Sequence, residues 1–247
     1  MEIVEEEKEK LEILYRDEYL VAINKPSGLL VHRSMIDRHE TRFAIQILRD
    51  QIGQYVYPLH RLDKPTSGVL LFALDKERAR DMSELFKSRE VKKNYMAIVR
   101  GYTKEEEIID YPLKEILDKM TDKKVNQDKE AQEAITQYQR LETIELPLEV
   151  GPYKTARYSL VSISPQTGRK HQLRRHFKHI FHPIVGDTTH GDLRHTKLFR
   201  DKLDTHRLLL HANSVIFQHP ISNMSLKIDA PFDVTFNQLF LRFKWDY

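Results

Sequence analysis

The residues best suited to chemistry stand together in segment 60–68, which reads HRLDKPTSG. Within it one carboxylate, Asp63, is flanked by a cation and follows a histidine and an arginine. The segment separates two apolar runs, 55–59 and 69–74, so the pattern predicts a loop between two strands. Catalytic groups are often carried on loops at strand ends. The alternative is an ordinary β-turn opened by Asp63, with Gly68 as a flexible exit.

A lone carboxylate among cations can stay ionised. An arginine within about 4–6 Å lowers the pKa of an aspartate by roughly 1–3 units, so Asp63 would be an anion able to act as nucleophile or base. The sugar of a nucleoside is a suitable target, because carboxylates stabilise or trap an oxocarbenium-like centre. With a basic groove and an aromatic residue for stacking, the set fits chemistry on an RNA base. A glycoside or nucleoside hydrolase is a weaker alternative, since such enzymes generally need two carboxylates.

Other common kinds of site lack support. His176, His179 and His182 recur every three residues, but no carboxylate partner accompanies them and the helix is ending at Pro183, so we predict no metal site. Neither glycine-rich phosphate motif is present, and there is no G-x-S-x-G elbow, so we predict no cofactor. The chain has no cysteine, which rules out disulfides and thiol nucleophiles and fits a reducing cytoplasm.

Composition indicates a globular protein whose charge is unevenly distributed. Of the 247 residues, 40% are apolar and 31% are charged, and no apolar run is long enough to span a membrane. The acidic start resembles no signal peptide, so we expect a cytoplasmic protein without a membrane partner.

The net charge is +3. Glutamates cluster within 2–12, whereas 169–207 is basic, which suggests a nucleic-acid partner; a solvated surface with ion pairs is the alternative. The cations of the basic stretch are Arg169, Lys170, Arg174, Arg175, Lys178, Arg194, Lys197, Arg200, Lys202 and Arg207.

The first half of the chain must position the Asp63 loop. Runs 11–15 and 19–23 predict a hairpin, and apolar spacing over 41–52 predicts an amphipathic helix ended by Gly53. After strand 69–74, Asp75 is a suitable N-cap for a helix over 76–89. The alternation over 93–99 predicts a strand with Lys93, Tyr95, Ala97 and Val99 on one face.

The second half supplies the cations. Strands are predicted at 134–141, 158–163, 207–217 and 225–228, and Asp233 is predicted to cap a closing helix. A helix over 169–181 should carry an apolar stripe and a separate basic face. The stripe is Leu173, Phe177 and Ile180, and the basic face is His171, Arg174, Arg175 and Lys178. Strands outnumber helices without regular alternation, so we predict an α+β fold with a central, mainly antiparallel mixed sheet flanked by helices and loops.

Segment 60–68 is similar to the central motif, HRLDxxTSG, of the RluA-type pseudouridine synthases. Further blocks in the family's order strengthen the resemblance. They are KPxGxxVH at 25–32, KxYxAxVxG at 93–101, TGRxHQLRxH at 167–176, PIxGD at 183–187 and RxxLHA at 207–212. The resemblance implies the pseudouridine synthase catalytic domain, with an RNA-binding cleft across the sheet. It also implies isomerisation of uridine to pseudouridine without metal or cofactor.

Residue roles follow from the same resemblance. Asp63 matches the family's nucleophile, Tyr95 the tyrosine that stacks on the base, and Arg174 the arginine that pairs with the aspartate. Arg61 matches a residue near the flipped nucleotide, whereas Leu173 would pack beneath the base or in the core rather than take part in the chemistry. His60 would fix the loop by a local hydrogen bond, without transferring a proton. The other expected substrate-binding residues are Lys93 and the cations Arg169, Lys170, Arg175 and Lys178, which would meet backbone phosphates.

Several runs look closest to a family member that modifies tRNA, which implies uridine 65 of tRNA as the target. Ribosomal RNA is the alternative substrate, and a non-catalytic RNA-binding protein is the alternative of another class. We expect an acidic, disordered lead-in at 1–10 and a catalytic domain over 11–247 without the S4 module of many relatives. A charged, mobile loop is expected at 116–131. No obligatory protein partner is indicated.

Overall fold

The computed structural model describes residues 9–33, 39–115 and 130–247. Residues 1–8 of the expected disordered lead-in and 116–129 of the expected mobile loop lie outside this part of the chain. In chain order the elements are β1 (Glu12–Arg16), β2 (Leu20–Lys25), α1 (Ala44–Ile52), β3 (Tyr57–Pro58), β4 (Ser67–Ala73), α2 (Lys76–Lys87), β5 (Lys92–Arg100), β6 (Glu106–Asp110), β7 (Ile135–Leu146), β8 (Ala156–Pro165), α3 (Gln172–His179), α4 (Leu193–Leu203), β9 (Leu210–Gln218), β10 (Ser225–Asp229) and α5 (Val234–Phe243).

One mixed sheet organises the described chain, in the order β1-β2-β4-β9-β5-β8-β7-β6, with β10 beside β9 and β3 beside β4. Among these strands β4 and β9 run parallel, and the other pairs are antiparallel. This arrangement confirms the predicted α+β class with a mainly antiparallel sheet. None of the described helices is both long and apolar enough to cross a bilayer.

Alternation along β5 assigns helices to the two faces of the sheet. Met96 and Ile98 pack with α4 and α5, whereas Ala97 and Val99 pack with α3. Tyr95 touches both the α3 cluster and the cluster around α1, so these two helices flank the same region of the sheet. The face predicted to carry Lys93, Tyr95, Ala97 and Val99 is therefore the face that meets α3.

At the junction of β4 and β9, the structure gives Gly68 a role other than the flexible exit considered from the sequence. Ser67 pairs with His211 and Gly68 with Ala212 across the parallel strands. Gly68 has a φ of 110°, and a Cβ there would lie 2.2 Å from the carbonyl oxygen of Ala212. The alternative interpretation, in which Gly68 is a flexible exit from the turn, is wrong, because Gly68 already belongs to β4 and is required for close contact with β9.

Most predicted elements are present, with shifted ends. The hairpin β1–β2 and the N-caps Asp75 and Asp233 are confirmed. α3 is shorter than predicted: it begins at Gln172, because His171 adopts a left-handed φ of 55°. β6 and α4 were not predicted. β6 was missed because carboxylates surround its two isoleucines, and α4 because cations interrupt its buried residues.

Candidate active site

The matched motif blocks meet at a cleft of about 2680 Å³. Its walls come from the 60–67 loop, from Lys93 and Tyr95 on β5, from the 164–174 segment and from 206–208 before β9. These segments are far apart in sequence, and the sheet brings them together because β4, β9 and β5 are neighbours. The cleft is therefore the natural place for the predicted chemistry.

The Asp63 loop is a tight turn held from below by the segment after β2. The amide of Thr66 donates to the carbonyl of Asp63 at 3.0 Å, so the turn reading of the sequence is correct as geometry. Gly28 N–H donates to the carbonyl of Lys64 at 2.8 Å, and Ser27 Oγ donates to the carbonyl of Pro65 at 2.7 Å. The turn thus has a fixed backbone from which the Asp63 side chain can project.

Arg174 links Asp63 to a second carboxylate. Its Nη1 lies 3.0 Å from Asp63 Oδ2, while Nε and Nη2 donate to the two oxygens of Asp187 at 2.7 and 2.8 Å. The side chains of Arg174 and Asp187 are 5% and 1% exposed, whereas that of Asp63 is 27% exposed. The two bonds to Asp187 fix the guanidinium, and its Nη1 orients the partly exposed Asp63 carboxylate.

The charge states of Arg174 and Asp187 are set by the hydrogen bonds and ion pairs that they form. Burial lowers the pKa of Arg174, but Asp187 and Asp63 outweigh burial and raise that pKa overall. Burial raises the pKa of Asp187, but Arg174 and the amides of His190 and Thr189 lower that pKa below its usual value. Both groups of the buried pair are therefore charged, and Arg174 presents a permanent cation to Asp63.

Tyr95 and Lys93 face the same cleft from β5. Burial, with a further contribution from Asp63, raises the pKa of Tyr95 well above its usual value. The phenol is therefore neutral at physiological pH. Burial lowers the pKa of Lys93. Tyr95 is half-buried and lines the cleft, which is the placement that the predicted stacking role requires.

His60 has the local, structural contact that the sequence predicted. Its Nε2 accepts a hydrogen bond from the amide of Leu71 at 3.2 Å, and its ring lies 5.3 Å from that of Phe86. Burial, assisted by Lys93, lowers the pKa of His60 to about 4. The imidazole is neutral and engaged with β4, although it lines the cleft.

The predicted basic face of α3 is not a single face. Arg61, Arg169 and Lys170 line the cleft, and so does the buried Leu173. Arg174 points inward, because two carboxylates hold it there, so the prediction that it shares a surface with Arg175 and Lys178 is wrong. Arg175 donates to the carbonyl of Lys114 at 2.9 Å, and neither it nor Lys178 lines the cleft.

Lys25 supports the loop from beneath, a role that sequence reasoning missed. Its fully buried ammonium donates to the carbonyls of Pro26, Leu29 and Lys64 at 2.9, 2.8 and 3.2 Å. Burial lowers its pKa to about 7, Arg207 acts in the same direction, and Asp63 opposes them. Its position in the first matched block was the available signal.

Arg207 was also missed, and it anchors the start of β4. Its Nη2 donates to Ser67 Oγ at 2.7 Å, and Ser67 Oγ lies 2.7 Å from His211 Nδ1. His211 Nε2 lies 3.2 Å from the carbonyl of Ala230, so this nitrogen carries the proton and Nδ1 accepts from Ser67. Arg207 also pairs with Asp233. The polar residues of the RxxLHA block thus tie the Asp63 loop to β9.

The histidines at 176 and 179 on α3, and at 182 just after it, are occupied by structural contacts. His176 Nε2 lies 3.0 Å from the carbonyl of Tyr111, His179 stacks on the Tyr111 ring, and His182 Nδ1 lies 2.8 Å from the carbonyl of Arg100. Across residues 9–33, 39–115 and 130–247, no three histidine, aspartate or glutamate side chains form a group able to hold a metal ion.

Comparison with known proteins identifies the family. The family model described as RNA pseudouridylate synthase matches residues 19–179. The proteins named tRNA pseudouridine synthase C from Vibrio parahaemolyticus and Haemophilus influenzae are 57% and 56% identical to the chain over 237 and 236 residues. These alignments cover 96% of this chain in both cases, and 96% and 99% of the relatives.

Solved structures agree with the family match. Human RNA Pseudouridylate Synthase Domain Containing 1 aligns with a TM-score of 0.70 and 25% identity, covering 100% of this chain and 98% of the other. Human RNA Pseudouridylate Synthase Domain Containing 4 aligns with a TM-score of 0.70 and 29% identity, covering 96% and 94%. The chain belongs to the RNA pseudouridylate synthase family and is a pseudouridine synthase, as its resemblance to RluA-type enzymes predicted.

Proposed function

We propose that this pseudouridine synthase acts on tRNA, at uridine 65, with Asp63 as the nucleophile and without a cofactor. The observation that carries the proposal is the partly exposed Asp63 carboxylate, oriented by Arg174 at 3.0 Å in a cleft that also contains Tyr95. The names of the Vibrio and Haemophilus relatives support tRNA as the substrate, and the motif resemblance supports position 65. A tRNA substrate implies a cytoplasmic protein.

The reaction exchanges one glycosidic bond for another. The N1–C1′ bond of uridine breaks, the uracil turns while bound, and a C5–C1′ bond forms. The C5 proton is then lost and N1 gains a proton, so the product is an isomer. Asp63 reacts with the sugar, either as a nucleophile that attacks C1′ or as a base that removes a C2′ proton, since a carboxylate can serve in either role. Arg174 Nη1, 3.0 Å from Asp63 Oδ2, holds this carboxylate in position at the cleft.

The cleft must also take the uridine out of its stack, which costs a few kcal/mol. Stacking on Tyr95 and phosphate contacts to Arg169 and Lys170 would compensate. Arg61 is exposed at the cleft and suited to fill the vacated position in the RNA stack. Lys93 lies beside Tyr95 on β5, where its charge would meet the backbone of the flipped nucleotide. Arg175 and Lys178 lie outside this cleft.

Tritium release tests the substrate. Transcripts of tRNA and of ribosomal RNA are labelled at C5 of uridine, and release is followed with the purified protein. We expect release from tRNA, and none from the same transcript with cytidine at position 65. Release from ribosomal RNA alone would overturn the tRNA assignment. Binding without release from any transcript would favour a non-catalytic RNA-binding protein, and free uracil would favour a hydrolase.

A further inference from the structure

The imidazole of His171 lies in the cleft beside Asp63, outside the Arg174–Asp187 pair. Its Nε2 is 3.9 Å from Asp63 Oδ2, the same oxygen that Arg174 Nη1 approaches at 3.0 Å. A separation of 3.9 Å is too long for a direct hydrogen bond, but two hydrogen bonds of about 2.8 Å to one shared ligand oxygen can span it. The side chain of His171 is 22% exposed and lines the cleft, so a ligand can reach it.

The backbone of His171 is strained in a way that α3 does not require. Its φ of 55° and ψ of 26° lie in the left-handed region, which glycine occupies at lower cost. His171 is the N-cap of α3, yet its side chain accepts no hydrogen bond from the first turn of the helix. Asparagine, aspartate or serine would cap the helix better. A strained residue whose side chain does not serve its own helix suggests a contact with a ligand.

A second histidine holds the ring of His171. His171 Nδ1 lies 2.9 Å from His190 Nε2, and the two rings meet edge to face with centroids 5.1 Å apart. The amide of His190 donates to Asp187 Oδ1 at 2.9 Å, and Arg174 Nη2 donates to the same oxygen at 2.8 Å. The buried carboxylate that fixes Arg174 therefore also fixes the support of His171, and both arms end at Asp63 Oδ2.

The two imidazoles are neutral, so each carries one N–H group. Burial lowers the pKa of His171, Arg174 and Lys170 act in the same direction, and Asp63 opposes them without reversing the shift. Burial also lowers the pKa of His190, to about 4. The Asp63 carboxylate attracts an N–H at His171 Nε2 and repels a lone pair there. The favoured tautomer thus has its proton on Nε2, with Nδ1 accepting from His190, so His171 presents a hydrogen-bond donor to the cleft.

The chemistry at Asp63 indicates which ligand atom meets this donor. In the proposed function the carboxylate reacts at C1′ or C2′, so the sugar of the target nucleotide lies against it. The 2′-hydroxyl is bonded to C2′ and can accept a hydrogen bond. The ring oxygen O4′ is a poorer partner, because it takes up positive charge as an oxocarbenium-like centre forms.

We propose that His171 donates a hydrogen bond through Nε2 to the 2′-hydroxyl of the target nucleotide, and that His190 is the positioning residue that aims it. The inference rests on the proposed function, because it requires the sugar to lie at Asp63. The contact selects a ribonucleotide over a deoxyribonucleotide at the reacting position, since the 2′-hydroxyl is the group by which a protein distinguishes RNA from DNA.

Two substitutions of His171 separate this role from a structural one. His171→Asn tolerates the positive φ and carries its amide near the place of Nδ1, so it keeps a partner for His190 and loses the donor beside Asp63. His171→Gln extends its amide nitrogen to about the place of Nε2, so it keeps the donor and loses the His190 contact. The control Lys244→Gly removes a side chain from another left-handed residue, with a φ of 57°, at the end of α5 and away from the cleft walls.

The first readout is filter binding of two ligated tRNAs that differ only in carrying uridine or 2′-deoxyuridine at position 65. Wild type and Lys244→Gly should bind the ribose form about 3- to 10-fold more tightly, the effect of one hydrogen bond. His171→Asn should bind both forms equally, and His171→Gln should retain part of the preference. The 2′-hydroxyl persists in pseudouridine, so conversion during the measurement does not remove the contact.

The second readout is kcat/KM from tritium release on the ribose tRNA. We expect a fall of about tenfold for His171→Asn, with partial recovery in His171→Gln and no change in Lys244→Gly. The melting temperature of His171→Asn should equal or exceed that of wild type, because asparagine accepts the left-handed backbone more readily. A residue needed only for folding would give the reverse order, with His171→Asn active and His171→Gln impaired.

Equal affinities of the wild-type protein for the two tRNAs would overturn the contact, and so would an undiminished ribose preference in His171→Asn. Release of tritium from no transcript would refute the proposed function together with the contact, whereas loss of the contact alone leaves turnover by the wild-type protein intact. If only ribosomal RNA is turned over, the tRNA assignment fails by itself. The uridine and 2′-deoxyuridine forms are then compared at the target position of that RNA.

Discussion

Asparagine at position 63 should remove activity while leaving the fold intact. The Asp63 carboxylate is partly exposed, and its Oδ2 lies 3.0 Å from Arg174 Nη1 and 3.9 Å from His171 Nε2. Arg174 keeps both bonds to Asp187 when residue 63 is asparagine. A partly exposed pair contributes about 1 kcal/mol or less, so the melting temperature should fall by no more than roughly 2–4 °C. An amide is a poor nucleophile and base, so turnover should drop by at least about 10⁴-fold.

Asp187→Asn is the matched control, because it neutralises the other carboxylate on the same guanidinium. Asp187 and Arg174 are almost fully buried, and removing one partner of a buried pair costs about 3–5 kcal/mol. The melting temperature should therefore fall by roughly 6–20 °C. Residual turnover below that temperature should exceed that of Asp63→Asn, because the Asp63 carboxylate is still present.

Three measurements are made on both variants. Tritium release under single-turnover conditions gives turnover, calorimetry gives the melting temperature, and filter binding gives the affinity for tRNA. We expect tRNA affinity of Asp63→Asn within about threefold of wild type, since phosphate contacts dominate binding. Turnover of Asp63→Asn within about tenfold of wild type would remove Asp63 from the nucleophile role. A melting temperature as low as that of Asp187→Asn would show that Asp63 acts mainly in folding.

Two further predictions concern the junction beneath the loop. Gly68→Ala should unfold the protein or lower its melting temperature sharply, because the new Cβ would lie 2.2 Å from the carbonyl oxygen of Ala212. The control Gly168→Ala, whose Cβ would have no atom within 4 Å, should melt as wild type. Equal melting temperatures of the two variants would refute the steric reason. Burial lowers the pKa of His211 to about 4, so between about pH 6.5 and 4 the unfolded chain binds a proton that the folded chain does not. Acidification through that window should lower the free energy of unfolding by about 1.4 kcal/mol per pH unit for this group. Denaturant titrations at several pH values should show a smaller pH dependence for His211→Gln than for wild type. An equal pH dependence would contradict the lowered pKa of His211 in the folded protein.

Local sequence signals were sufficient for elements with clear boundaries. Asp75 and Asp233 cap their helices as predicted, because an N-cap needs only a short polar side chain before an apolar repeat. The same signals failed where charge masked burial. In α4, Leu198, Phe199 and Leu203 are buried between exposed cations, so the segment looked like a basic stretch rather than a helix.

The motif blocks were sufficient to predict the family and the candidate nucleophile, because they stand in the family's order along the chain and Asp63 lies within one of them. Tertiary structure decided which cations reach that carboxylate. Arg174 and Arg175 are neighbours of the same type, yet one is fixed on Asp187 and Asp63 while the other faces Lys114. Helical position and two carboxylates from distant segments made that difference, and neither contact can be read from local spacing. The contacts of Lys25 also depend on the tertiary structure. Its ammonium reaches the carbonyl of Lys64 only because the Asp63 loop folds over the end of β2.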